Sequence, residues 1–463
     1  MVTFCGPVTA GTITKPAAMI AVDLAASGYV EEEFLAQGSA CGYDVTGEAG
    51  PDGYWTAVPT ETEPYRTRVL VRRPADPARF SGTLLIEWLN VSSGFEADPD
   101  WMFLHTEILR AGHAYLAVSA QAVGVVGGEA RLNLSGISPG GLRGDNPERY
   151  GTLEHPGDRY SFEMFRQIAE AVKEAGAGPT GAGPAGADAG LVLGGLRPAR
   201  VLAIGESQSA IYLTSFINAV QAFSPIFDGF LVHSRGAGAA ALSGEPIDPP
   251  NVTQGVRIRD DGAAPVLVIE TEGDLQPPLA YRLARQPDSE RLRVWEVAGT
   301  AHADDYLIGA GAEFFGIDWR INAGPQQYLV RAALRALVDW TAAGTPPAPA
   351  SAIAFESEQP PVIARDEAGN ALGGVRTPLV DVPVATLSGE GPPGKLLGWL
   401  VGQTVPLPDD ELLRRYGDHA GYLAAFTESL DATIALGFVL PEDREALLGQ
   451  AAGVMFTSEG SAA

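Results

Sequence analysis

The chain has only three lysines, Lys15, Lys173 and Lys395, in 463 residues, while arginine is common. That imbalance reads as coding bias, not chemistry. Cationic side chains are outnumbered, 31 against 57 acidic ones, for a formal net charge of -26. A surface so acidic excludes nucleic acids and anionic membranes, both of which need basic patches. It keeps a protein soluble without naming a partner. Cysteine is nearly absent too. Cys5 and Cys41 lack metal-type spacing and are too few for a disulfide framework, and the sequence does not say whether they pair. No apolar run reaches membrane-spanning length. Residues 1–10 lack the basic-then-apolar order of a secretory leader, so the cytoplasm is the expected location. No histidine–carboxylate cluster has ligand spacing, and no dinucleotide glycine pattern opens a helix. Neither a metal nor an organic cofactor is implied.

What is present is a hydrophobic content of 46% with 56 Gly and 35 Pro, a globular and loop-rich composition. Continuous apolar runs at 82–90, 113–119, 201–204, 228–234, 264–270 and 292–297 read as strands buried on both faces. Between them, 98–112, 158–176 and 325–340 have helical period. Strands alternating with helices predict an α/β fold, a mostly parallel sheet covered on both faces. The expected organisation is a strand-rich segment at 1–75 packing on the core, a core at 76–345, and a C-terminal extension at 346–463. Stretches 119–157 and 236–262 break the alternation and read as insertions. Residues 176–190 read as a flexible Gly/Ala/Pro connector. The extension contains "LPDDELLRRYGDHAGYLAAFTESLDATIALGF", helical in period and acidic at its start, and is the candidate for a helical lid.

Within "AIGESQSAIY" (203–212), Ser207 stands in a five-residue turn. An apolar strand precedes it and an amphipathic helix follows. Such a turn can hold a serine in strained backbone with its hydroxyl exposed at a helix N-terminus. The plainer reading is a helix N-cap. The pattern G-x-S-x-G is met except at its last position, where Ser209 stands.

A nucleophilic serine needs a base and an acid to orient that base. Of six histidines, three precede the serine in the chain. His233 lies in a strand and reads as core, and His419 lies in the C-terminal part of helical period and reads as surface. His302, in "VAGTAHADDY" after the last strand, stands where a base belongs. The acid should follow the penultimate strand. "VLVIETEGDLQPP" offers Asp274, favoured by loop offset, with Glu272 as alternative; either could reach the base. Oxyanion donors should come from the backbone of Gln208 and from Asn90 or Val91 after the "LLIEWLN" strand. Asn90 could add a side-chain donor. Trp88, Phe95, Trp101, Tyr160 and Tyr306 are candidates for an apolar substrate pocket, and equally for the core.

These segments together resemble the α/β-hydrolase superfamily. More narrowly, they resemble large bacterial alpha/beta-hydrolase-domain proteins. The likeness rests on "EWLNVSSGFEADPDW" (87–101), "HPGDRYSFEMF" (155–165), "GESQSAIYLTSFINAV" (205–220), "ETEGDL" (270–275), "VAGTAHADDY" (297–306) and "GGVRTPLVDVP" (373–383). It spans residues 65–440. It implies an α/β-hydrolase fold and an esterase-type activity, and it does not imply a substrate. The expectation from residues and resemblance together is a serine hydrolase acting on a small-molecule carboxylic ester or lactone, neutral and apolar. A thioesterase, an amidase or a non-catalytic binding protein on the same fold are the alternatives. No nucleic-acid partner and no membrane span are expected. The sequence is silent on oligomeric state.

Overall fold

The computed structural model describes residues 2–17, 20–130, 140–177, 189–245, 255–313 and 315–455. Strands β1 (Thr3–Cys5), β2 (Tyr29–Val45), β3 (Ala57–Pro74), β4 (Thr83–Trp88), β5 (Ala114–Val118), β6 (Arg200–Glu206), β7 (Gly229–His233), β8 (Val266–Thr271) and β9 (Leu292–Val297) join one sheet. Its order is β1-β2-β3-β5-β4-β6-β7-β8-β9. From β5 to β9 every pairing is parallel. Burial explains why these strands read as continuous apolar runs: every residue of β4, β5, β7 and β8 is buried. A strand covered on both faces has no polar side to alternate with.

Residues 1–75 enter the sheet itself. β2 and β3 form a long antiparallel hairpin, and β3 pairs with β5. "YVEEEF" opens β2 with three glutamates, a poor strand signal. Arginines answer them: Arg72 is 2.9 Å from Glu31, Arg73 is 2.5 Å from Glu32, and Arg149 is 2.5 Å from Glu33.

Helices cover both faces. α1 (Pro99–Ala111) and the C-terminal helices lie on one side. α2 (Ser161–Ala177) and α3 (Gln208–Ser215) lie on the other. α4 (Gln326–Ala343) packs with α1 against the sheet, burying Leu329, Leu334, Leu337 and Trp340. α1 starts on Pro99 and ends at Gly112 in the left-handed region, φ 73°. A Cβ there would stand 2.0 Å from the carbonyl oxygen of Arg79, so only glycine fits.

The extension is not one helix. Gly417 ends α5 (Asp409–Tyr416), and the Asp418 side chain caps α6 (His419–Ala435) by accepting the Gly421 N–H. α7 (Arg444–Ala452) follows. These helices add a layer outside α1 and α4: Tyr422, Phe426, Leu430 and Phe438 share a core with Trp295 and Trp340. Asp443 fixes the layer by ion pairs to Arg110 and Arg331. The connector expected at 176–190 falls largely outside the described residues, as do parts of both expected insertions.

Cys5 and Cys41 are free thiols. No helix among the described residues is long and apolar enough to cross a membrane. No group of His, Cys, Asp or Glu able to hold a metal ion occurs among the described residues.

Candidate active site

β6 runs into α3 through Ser207, whose backbone has φ 58° and ψ -118°. A non-glycine residue there is strained by about 1–3 kcal/mol, a cost that surrounding structure must offset. Ser207 N–H donates to the His233 carbonyl at 2.9 Å, and its own carbonyl accepts Ile211 N–H at 3.1 Å. The departure at Ser209 has a steric consequence. Gly205 lies against it, and a Cβ on Gly205 would stand 3.1 Å from the Ser209 Cβ and 2.9 Å from Leu213 Cδ1. Ser209 can carry a side chain because Gly205 carries none. Ser207 offers no capping bond to the helix, so its hydroxyl is not spent as an N-cap.

His302 follows β9 in a loop whose turn needs Gly299, φ 72°; a Cβ there would meet Val380 Cγ2 at 2.7 Å. Thr300 laces this loop to the one after β8. Its carbonyl accepts Gly273 N–H at 3.3 Å and its hydroxyl oxygen accepts Glu272 N–H at 3.3 Å. The result is a line of contacts. His302 Nε2 is 2.8 Å from Ser207 Oγ, and His302 Nδ1 is 2.6 Å from Asp274 Oδ1. Asp274 Oδ2 accepts Thr271 N–H at 2.7 Å. Glu272 is not in the line. Its Oε1 pairs with Arg365 at 2.8 Å and accepts Gly389 N–H, and its Oε2 accepts Gly299 N–H.

Charge in this dry place is shared. Burial would lower the His302 pKa, but the Asp274 and Glu206 carboxylates outweigh it and raise it to about 9. Burial would raise that of Asp274, yet the imidazole and its hydrogen bonds bring it below the ordinary value. Glu206, which sequence reasoning passed over as a turn residue, is buried and lines the pocket. Its Oε1 lies 3.3 Å from His302 Nε2. The one available signal was its place next to Ser207.

Of the expected oxyanion donors, the Gln208 N–H is the first of α3 and has no acceptor inside the helix. The other two N–H groups are engaged, which departs from expectation. Asn90 N–H donates to the Ala97 carbonyl at 3.0 Å, in a bridge between the two residues. Val91 N–H donates to Gln208 Oε1 at 3.1 Å. Asn90 Nδ2 donates to the Glu206 carbonyl at 3.2 Å and has a second N–H to give.

Beside Ser207 and His302 opens a cavity of about 310 Å³, lined by Phe95, Met102, Leu307, Ile308, Leu400 and Val401 among others. Of the five aromatic candidates, Phe95 lines the cavity; the other four are elsewhere, for reasons of packing, Trp101 against Tyr115. Trp88 stacks on Tyr212 and gives its N–H to Gln121. Tyr160 joins the core and reaches Glu61. Tyr306 stacks on Phe103 with its hydroxyl on Arg331. Leu400 and Val401 come from the extension, from a one-turn helix at Gly398–Val401 ahead of α5; α5, α6 and α7 do not line the cavity. His233 is wholly buried and bonded to Asp100 at 3.0 Å.

A family model described as an alpha/beta hydrolase domain matches residues 4–449. No curated protein matches the sequence. Among solved structures, the chain is similar to a serine hydrolase without a lid from Xanthomonas campestris. That pair is 13% identical over 64% of this chain and 94% of the other, with TM-score 0.31. It is also similar to a fungal esterase from Rhizomucor miehei, 10% identical over 66% and 85%, with TM-score 0.32. Est1E from Butyrivibrio proteoclasticus is 10% identical over 64% and 99%, with TM-score 0.30. Likeness so distant says nothing of substrate.

Proposed function

The chain belongs to the alpha/beta hydrolase domain family, and on that premise we propose that it is a serine hydrolase that cleaves carboxylic esters or lactones through an acyl-enzyme. The observation that carries the reading is the continuous line from Ser207 Oγ through His302 to Asp274, at 2.8 and 2.6 Å. Ser207 attacks the carbonyl carbon while His302 Nε2 takes its proton. Asp274 holds the Nδ1 proton and stabilises the imidazolium without becoming protonated. His302 then protonates the leaving alcohol; it next takes a proton from water as that water attacks the acyl carbon, and returns it to Ser207 Oγ as the bond to serine breaks and the acid leaves.

The developing oxyanion is assigned to the Gln208 N–H and to the free N–H of the Asn90 amide. Each such donor is worth about 3–4 kcal/mol in a related setting. Val91 N–H joins them only if Gln208 Oε1 lets go. The apolar lining of the cavity favours a neutral acyl or alcohol group of modest size. The test is a panel of p-nitrophenyl esters and lactones, wild type against Ser207→Ala. Hydrolysis lost in the variant supports the reading; equal hydrolysis by both proteins contradicts it.

A further inference from the structure

His302 has a carboxylate at each nitrogen, and a serine hydrolase needs only the one at Nδ1. Asp274 fills that role. Glu206 is at the other side, 3.3 Å from Nε2, where the serine proton arrives. We propose that Glu206 is a positioning residue that acts through His302: its carboxylate, 3.3 Å from Nε2, stabilises the charged imidazolium electrostatically during turnover. The proposal rests on the serine hydrolase reading above.

Protonation states make the argument. When His302 is neutral with its proton on Nδ1, Nε2 offers a lone pair. Ser207 O–H can donate to it, and the Glu206 carboxylate cannot. When the Ser207 O–H bond breaks and the Nε2–H bond forms, the same nitrogen becomes a charged donor. Glu206 Oε1, 3.3 Å away, then lies beside a full positive charge. The proton stays on Nε2 until the leaving group takes it, and Glu206 keeps none of it. An interaction stronger in the charged state than in the resting one accelerates the step that makes the charge.

Glu206 and His302 side chains are each 5% exposed. Among the described residues, the ion-pair partner of Glu206 is His302 alone. The other groups that face it are His233 from β7, Asp100 from α1 and Asp274 from the loop after β8. Burial raises the Glu206 pKa to about 7, with the two histidines opposing and the two aspartates adding. A carboxylate kept only to shape the turn would be an expensive choice in a dry site, where a neutral side chain serves as well.

The experiment follows histidine imidazole resonances by NMR against pH in the full chain, with the His302 signal assigned by its loss in His302→Gln. Glu206→Gln keeps the shape and removes the charge. The His302 midpoint should fall by about one to three pH units, the size a close opposite charge gives. The acid limb of kcat/KM should move down with it. The high-pH plateau of kcat should drop about tenfold or more with KM little changed, as expected when transition-state stabilisation alone is lost. Glu206→Asp withdraws the charge by one carbon and gives a smaller shift the same way, which decides the matter if the glutamine variant does not fold. An unchanged His302 midpoint in a folded variant overturns the proposal. If the wild type shows no Ser207-dependent hydrolysis, the serine hydrolase reading fails on its own, and the NMR titration still reports on the Glu206–His302 pair.

Discussion

Glu272 and Asp274 stand two residues apart, and their carboxylates face different parts of the molecule. Asp274 reaches His302 Nδ1 at 2.6 Å, whereas Glu272 reaches Arg365 of the C-terminal extension at 2.8 Å. Glu272 stands just before the turn Gly273–Leu275, which carries Asp274, and a Cβ on Gly273 would meet the Gly389 carbonyl at 2.9 Å. One is placed to orient the base. The other ties the extension to the sheet.

Asp274→Asn should therefore cripple turnover, on the order of 10⁴ in kcat as in serine proteases, with KM little changed. Glu272→Gln should leave turnover within about tenfold and lower Tm, because a buried charge-assisted contact to Arg365 is weakened. Steady-state kinetics and thermal melts on both variants check this. The reverse order of kinetic effects would exchange the two roles.

The pH dependence of activity follows from the sign of the His302 shift. The base works only when neutral, and its two carboxylates raise its pKa to about 9. kcat/KM should thus rise with pH through an acid limb centred well above 6.5, the ordinary histidine value. The check is a pH–rate profile corrected for spontaneous hydrolysis. A limb at or below 6.5 would contradict the carboxylate effect.

On the proposed reading, the cavity wall should set acyl preference. Leu400→Ala removes an apolar contact and widens the pocket. kcat/KM for a hexanoate should fall by about 10–200-fold, the range of a changed hydrophobic contact, while acetate is little affected. Equal loss on both esters would mean that Leu400 acts on the catalytic groups and not on the chain.

The helices of the extension should behave as core. Phe438 meets Trp295 edge to face, with ring centroids 5.0 Å apart. Phe438→Ala should cost about 3–5 kcal/mol of stability with the acyl chain-length profile unchanged. A changed profile at unchanged stability would restore the lid role that helical period alone had suggested.

How much was legible follows from which forces act locally. β4, β5, β7 and β8 were readable because burial on both faces leaves an apolar run. The strand-to-turn-to-helix grammar around Ser207 and the loop position of His302 were readable for the same reason. β2 was not, since its three glutamates find their arginines on β3 and at Arg149, which no local pattern shows. Glu272 and Asp274 could not be separated because Arg365 and Gly389, far along the chain, decide where Glu272 points. The pocket wall was missed for the same cause: Leu400 and Val401 arrive from the extension. Trp88 and Tyr306 went the other way, into stacked aromatic packing, and Tyr160 into the core, which composition cannot tell from a binding pocket.

The central claim is that Ser207 is a nucleophile activated by His302. Its most direct measurement is covalent labelling with a fluorophosphonate, read by intact mass and by mapping the modified peptide. One adduct per chain on Ser207 is expected in the wild type. Ser207→Ala should give no adduct, and His302→Gln should label far more slowly while remaining folded. A wild type that stays unlabelled, or an adduct on any residue other than Ser207, would contradict the account.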